Sequence, residues 1–198
     1  MKNACEGVLY PVNAASTIKI NSDKKTQPLK TVNLRVTEGQ LCALEVSHAS
    51  WLYCKDKLEE IFSNIMVTDT VFLLAPLHKG PINFDDGFKI YCPEDGKLKG
   101  SDWEIKLKTP REIKEVSFVE PNDDVCTEEH SLEVIAPFIY KRNPKAEVCY
   151  LLAPSDAEEI CEITSIIGRL YSNSIIFLSN NEAANCAHMW LAREGKEV

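Results

Sequence analysis

The chain has 198 residues, and its 22 Lys and Arg against 30 Asp and Glu give a formal net charge of -8. Length and a hydrophobic fraction of 44% indicate one globular domain over residues 1–198 and exclude a disordered or fibrous chain. The negative charge argues against nucleic-acid partners. Apolar runs too short for a bilayer and an N-terminus without an apolar signal segment lead us to expect no membrane association and a cytoplasmic location.

Short strands and helices alternate along the chain. Several strand-like runs are continuously apolar, which is typical of strands that are covered on both faces. The pattern predicts an α/β fold with three layers, in which a largely parallel or mixed sheet has helices on both faces. Residues 84–119 are expected to form a hairpin-like excursion at one edge. The predicted strands are 7–12, 32–36, 41–46, 71–75, 88–91, 103–107, 116–119, 148–153 and 174–178, and the predicted helices are 51–64, 128–141, 156–171 (with a capping box of Ser155 and Glu158) and 182–194.

The eight cysteines show no pair at the two-residue gap that zinc ribbons and redox motifs use. Several lie within apolar patterns, where a free cysteine behaves as a small hydrophobic residue. We therefore expect reduced thiols in a cytoplasmic protein. The glycine-rich phosphate loops and the G-x-S-x-G nucleophile elbow are absent from the sequence, so a nucleotide-dependent enzyme or a serine hydrolase has no support.

Two histidines follow buried strands. His48 comes after the run 41–46, and His78 comes after the run 71–76. Ligands of open α/β sheets collect beyond the carboxyl ends of the strands, so these two rings could face one another. Neutral imidazole is a common ligand of iron, copper and zinc. The alternative is that each is a surface-loop histidine without a partner.

The other two histidines lie in predicted helices. His130 and Glu133 are three residues apart and share a helix face, a spacing that suits a metal pair or a proton relay. The alternative is an acidic helix start that is stabilised by the helix dipole. His188 follows Cys186 in the last predicted helix, where a half-buried histidine beside a core cysteine is the simpler interpretation.

Four segments together resemble one family. Residues 7–11 (GVLYP) resemble its G-x-F-Y-P, 47–53 (SHASWLY) its P-H-A-G-Y-x-Y, and 75–79 (APLHK) its G-P-S-H-H. Residues 129–138 (EHSLEVIAPF) are similar to its E-H-S-x-E-x-x-x-P-F almost letter for letter. This is the Memo family (mediator of cell motility), whose fold is akin to that of the class III extradiol non-haem iron dioxygenases.

The resemblance implies a three-layer α/β fold with a metal crevice. It makes His48 and His78 the first two ligands of an Fe, Cu or Zn ion, with Glu129, His130 and Glu133 lining the site. The departures are that Lys79 replaces a histidine of the family and that Asn181 replaces its aspartate. Ala184 also replaces a histidine, and the C-terminal segment that supplies the third ligand in the family is lacking.

Two imidazoles without an anionic ligand bind a redox metal weakly, since functional sites generally use three protein ligands. The sequence therefore favours a catalytically degenerate Memo-like protein that binds an unknown protein or small molecule. The alternative is a metal-dependent redox enzyme in which Cys186, His188 or Glu129 completes a rebuilt triad. A third hypothesis is an interaction protein whose partner surface lies elsewhere, at the exposed edge near residues 84–107. A homo-oligomer interface could also cover the crevice.

Overall fold

The structure is a computed structural model, and it describes residues 42–78, 89–154, 159–171 and 174–179. Several predicted features lie outside these residues: the strands at 7–12 and 32–36, the helix at 182–194, and the capping box of Ser155 and Glu158.

The described residues form eight strands and five helices. In chain order these are β1 (Cys42–Glu45), α1 (Trp51–Ser63), β2 (Thr70–Pro76), β3 (Ile90–Cys92), β4 (Gly96–Lys99), β5 (Glu104–Leu107), α2 (Arg111–Lys114), β6 (Val119–Pro121), α3 (Asp123–Glu128), α4 (Ser131–Arg142), β7 (Glu147–Ala153), α5 (Glu159–Leu170) and β8 (Ile175–Leu178).

All eight strands belong to one mixed sheet. Its main path runs β1-β8-β2-β7-β3-β6, while β5 also pairs with β7 and β4 pairs with β5. Five of the seven pairings are parallel, and β3–β7 and β4–β5 are antiparallel. The expected α/β class with a largely parallel or mixed sheet is therefore confirmed.

The central strand β2 explains why helices cover both faces of the sheet. Its residues from 71 to 75 are all buried, and successive side chains of a strand point to opposite faces. Val71, Leu73 and Ala75 join the hydrophobic cluster that contains residues of α1 and α4. Phe72 and Leu74 join a second cluster, which contains residues of α2 and α5. The continuous apolar run thus builds two cores, one in each interlayer space.

Aromatic side chains fix α1 and α4 against the sheet. The ring of Phe62 lies 4.9 Å from that of Phe177 in β8 and 5.6 Å from that of Phe138 in α4. The indole N–H of Trp51, at the start of α1, donates to the carbonyl of Val134 at 2.9 Å. The Trp51 bond thus joins the first turns of the two helices, and the Phe62 contacts pack the last turn of α1 against β8 and α4.

Three local differences from the sequence prediction stand out. The helix predicted at 128–141 starts at Ser131, and a separate short helix, α3, precedes it. The strand predicted at 116–119 begins only at Val119, because the preceding residues form a turn. Strand β4 was not predicted, since its sequence GKLK contains one apolar residue and no β-branched residue.

The cysteines follow the expectation of reduced thiols only in part. Cys54, Cys92, Cys126 and Cys149 are free and buried, as expected for small hydrophobic core residues. Cys161, exposed on α5, is instead disulfide-bonded. The expectation of uniformly reduced thiols is therefore wrong at this position.

None of the helices within the described ranges has both the length and the apolar character that a membrane crossing requires.

Candidate metal centre

The site lies where three neighbouring parallel strands end. Strand β8 pairs with β1 on one side and with β2 on the other, so the carboxyl ends of all three meet at one edge of the sheet. His48 follows β1, His78 follows β2, and Ser179 follows β8 directly. The backbone N–H of Ser179 donates to the carbonyl of Leu74 at 2.8 Å, which continues the ladder up to the site.

The ring of His48 is oriented by the hydroxyl of Ser179. Nδ1 of His48 lies 2.6 Å from Ser179 Oγ, and that hydroxyl donates its own hydrogen to the carbonyl of Val46 at 2.9 Å. The oxygen therefore acts as acceptor toward the ring, which places the hydrogen on Nδ1 and leaves a lone pair on Nε2. Burial, followed by the charges of His78 and His130, lowers the pKa of His48 from 6.5 to about 4, so the ring is neutral at pH 7.

The ring of His78 is oriented by the carboxylate of Glu129. Oε1 of Glu129 accepts the backbone N–H of His78 at 2.5 Å, and Oε2 lies 2.9 Å from Nδ1 of the same residue. The Glu129 side chain is only 1% exposed. Since a carboxylate is an acceptor, Nδ1 of His78 carries a hydrogen, and in the neutral form of the ring the lone pair is on Nε2.

The break between α3 and α4 allows Glu129 to reach His78. Glu129 ends α3 with extended backbone angles, φ -97° and ψ 148°, and α4 begins after His130. An uninterrupted helix would send residues 129 and 130 along its own surface. The break instead directs Glu129 inward to the loop after β2.

The two Nε2 atoms face each other at 3.3 Å. Two metal–nitrogen bonds of about 2.05 Å across this distance subtend an angle of about 107°, close to that of a tetrahedral site. Two opposed lone pairs repel unless a proton or a cation lies between them. The pair thus has both the spacing and the electronic character of two ligands to one metal ion.

A third imidazole ring, that of His130, lies against this pair. Its centroid is 5.3 Å from that of His78, with the planes inclined by 22°, and 5.6 Å from that of His48. His78, Glu129 and His130 each offer a donor atom within 4.8 Å of the others. His130 is half-buried and His78 is exposed, so the cluster is open to solvent on one side.

The donor set fits the ions that the sequence suggested. Neutral imidazole suits zinc, copper and iron. A carboxylate on the outer N–H of a ligating histidine fixes its tautomer and increases its basicity. Glu129 has this position relative to His78, and both of its oxygens contact that one residue.

The other candidate residues have different outcomes. The donor group among the described residues consists of His78, Glu129 and His130; His48 is not part of it and meets it through its 3.3 Å contact with His78. Glu133 also lies outside this group, and desolvation raises the pKa of its half-buried carboxyl. The candidates Lys79, Asn181, Cys186 and His188 lie outside the described residues. Sequence reasoning did not select Ser179 as a site residue, although its position directly after a buried strand matches that of the two histidines.

We compared the sequence with protein-family models and with curated proteins. No protein-family model matches this chain, and no curated protein matches it either. The geometry of the histidine cluster is therefore the basis for the functional assignment.

Proposed function

We propose that this chain is a Memo-like metal-binding protein, in which His48 and His78 hold one divalent transition-metal ion through their Nε2 atoms. The facing Nε2 atoms, 3.3 Å apart with both Nδ1 hydrogens engaged elsewhere, carry the proposal. His130 is the candidate third nitrogen ligand, because its ring lies beside both of the others.

Glu129 acts as the orienting carboxylate of this site and not as a ligand. Its two oxygens accept from the backbone N–H and the Nδ1–H of His78, on the opposite side of the ring from the Nε2 that faces His48. The negative charge of Glu129 also offsets part of the charge of a bound cation at short range.

The set of donor groups favours a protein that binds a metal ion over an enzyme that uses the ion to catalyse a redox reaction. Non-haem iron oxygenases generally place two histidines and one carboxylate directly on the metal. The carboxylate of this crevice is held by His78 instead. We therefore assign the chain a binding role, with a small molecule or a protein side chain as the exchangeable ligand of the ion.

A metal-dependent oxidoreductase is the second candidate function, and the exposure of His78 favours it. The side chain of His78 is 37% exposed, so an ion bound there keeps coordination positions open to solvent or substrate. In this case Cys186 or His188 supplies a further ligand and rebuilds a triad.

The test is metal content after equilibrium dialysis. The full chain is stripped with a chelator and dialysed separately against Zn(II), Cu(II) and anaerobic Fe(II), and bound metal is measured by mass spectrometry. We expect about one ion per chain, and loss of that ion in both His48→Ala and His78→Ala. The control is Glu128→Ala, which removes an exposed carboxylate beside the site. Undiminished binding in the two histidine variants contradicts the proposal.

The same assay separates the two candidate functions. If Cys186→Ala or His188→Ala weakens binding as strongly as His48→Ala does, a rebuilt triad and the oxidoreductase are favoured. If neither substitution changes the affinity, the binding role is favoured.

A further inference from the structure

The hairpin of β4 and β5 presents one lysine-rich face to solvent. The register places Lys97 opposite Lys106, and Lys106 opposite Glu147 of β7, so these three side chains form one row across three strands. Because alternate residues of a strand share a face, Lys99 and Lys108 belong to the same face. We call this surface the lysine face.

The lysine face carries more ammonium groups than carboxylates. Glu104 accepts from Lys97 at 2.5 Å and contacts Lys99 at 2.9 Å, and together these lower its pKa to about 2. Glu147 is shared in the same way by the other two ammonium groups, at 3.5 and 3.1 Å. The four lysine side chains are 53–65% exposed. Positive charge is thus concentrated on one small surface of a chain whose formal net charge is -8.

Within the described part of the chain, the outer edge of this face is open: β4 pairs with β5 alone, and three of its four residues are exposed. Leu98, between the two lysines of β4, is half-buried and points to the opposite face. A depression of about 470 Å³ lies beside the strands, and its lining carries both charges, with Lys97, Lys106 and Lys108 beside Asp95 and Glu147.

An open strand edge is a template for a further strand. Lysines on such an edge oppose pairing with a second copy of the same strand, because like charges directly opposite each other are destabilising. They favour a strand of opposite charge for the same reason. The lysines of β4 thus favour pairing with an acidic strand and disfavour pairing with a basic one.

We propose that the β4 edge binds an extended acidic segment of a partner protein, which adds to the sheet as a strand beside β4. Acidic side chains at alternate positions of that segment face Lys97 and Lys99, and the apolar side chain between them lies next to Leu98. The recognised pattern is acidic, apolar, acidic. The surface is separate from the histidine cluster and does not depend on a bound metal.

The test is binding of a short fluorescent peptide that alternates glutamate and valine, measured by anisotropy with the full chain. We expect saturable binding that weakens with added salt, since exposed charges are screened. We expect Lys97→Glu with Lys99→Glu to weaken it at least about tenfold. The matched control is Lys55→Glu with Lys57→Glu on α1, which makes the same change of charge elsewhere and leaves binding unchanged.

Two further measurements keep a loss of folding from being mistaken for a loss of binding. We expect a peptide that alternates lysine and valine to bind the hairpin variant, Lys97→Glu with Lys99→Glu, and not the original chain. Hydrogen exchange of the β4 amides slows when the glutamate peptide is bound, as strand addition requires.

Three results overturn the proposal. The first is equal affinity of the original chain and the hairpin variant. The second is equal affinity for a peptide of the same composition with its glutamates in one block, which indicates charge attraction without strand pairing. The third is equally tight binding of a single-stranded DNA oligomer, which indicates a general polyanion surface.

Discussion

His48 and His78 are oriented by chemically different partners. The neutral hydroxyl of Ser179 accepts from His48 and donates to a backbone carbonyl. The carboxylate of Glu129, which is charged, accepts from His78. Both arrangements place the hydrogen on Nδ1 and leave Nε2 as a donor to a cation. Replacing Glu129 with glutamine therefore removes its charge and one of its two hydrogen-bond acceptors, while both histidines stay in the chain.

We predict that Glu129→Gln weakens metal binding by about 10–100-fold while the chain stays folded. The amide oxygen can accept only one of the two N–H groups that Glu129 engages on His78, and the amide supplies no charge to increase the basicity of the ring. Isothermal titration with Zn(II) measures the change. The control is Glu128→Gln, which alters an exposed neighbour and leaves the affinity unchanged. Equal affinities for the two variants contradict the role of Glu129.

The lowered pKa of His48 predicts how stability depends on pH in a chelating buffer. The unfolded chain protonates this ring near pH 6.5, whereas the folded protein does so near pH 4. Between these values the unfolded state binds more protons, so the free energy of unfolding decreases as the pH falls, by at most about 3 kcal/mol. Urea denaturation at pH 7 and at pH 4.5 measures the effect. His48→Gln reduces the dependence, and an unchanged pH dependence in that variant contradicts the shift.

At the residue level the sequence identified the two histidines but not the geometry around them. Because parallel strands end at a common edge, His48 and His78 could face one another, and unpartnered surface histidines were the alternative; the structure places their Nε2 atoms 3.3 Å apart. The sequence also led us to expect weak metal binding for want of an anion. The contact of Glu129 with His78 depends on a helix break that local propensity does not specify.

The elements between residues 123 and 142 show why that break was missed. Residues 128–134 have a composition that suits the start of a helix, and the sequence accordingly predicts one from residue 128. In the structure Asn122 caps a separate helix, its side chain accepting from the N–H of Val125 at 3.1 Å. The extended backbone at Glu129 is specified by a tertiary contact, which outweighs a helix preference of a few tenths of a kcal/mol.

The hairpin that carries the lysine face depends on Gly100. A Cβ added at this residue would overlap the buried indole of Trp103, whose carbonyl accepts the N–H of Gly100 at 2.9 Å. We predict that Gly100→Ala destabilises the chain by about 1–3 kcal/mol in chemical denaturation, since the indole has to move.

The matched control is Gly96→Ala at the other end of β4. A Cβ there meets only a backbone oxygen of Glu94 at 3.8 Å, an ordinary contact. We expect its effect on the free energy of unfolding to stay within about 0.5 kcal/mol. Equal destabilisation by the two substitutions contradicts the assigned role of Gly100.

At the scale of the molecule, the continuous apolar runs predicted the layers but not the order of the strands. The burial of β2, β7 and β8 followed from composition, because each is apolar on both faces. The position of β8 between β1 and β2 joins elements more than a hundred residues apart, and no local pattern specifies it. That position brings Ser179 between the loop after β1, which contains His48, and the loop after β2, which contains His78.

Strand β8 thus connects the hydrophobic core to the site. We therefore predict that a core substitution in β8 lowers both the stability of the chain and its affinity for metal. Phe177 is fully buried in β8 and packs on Phe62, so Phe177→Ala costs about 3–5 kcal/mol of stability. Metal affinity also falls, because β8 holds Ser179 against His48. Phe177→Leu, which keeps most of the volume, costs less than about 1.5 kcal/mol. Denaturation and metal titration of both variants provide the check, and unchanged affinity in a destabilised Phe177→Ala contradicts the coupling.

Anomalous X-ray diffraction at the zinc edge, from crystals of the full chain equilibrated with Zn(II), tests the metal centre most directly. The account predicts one strong peak about 2.1 Å from Nε2 of His48 and from Nε2 of His78, with Glu129 on the outer nitrogen of His78. A peak at other residues, or no peak while the two rings stay 3.3 Å apart, would contradict it.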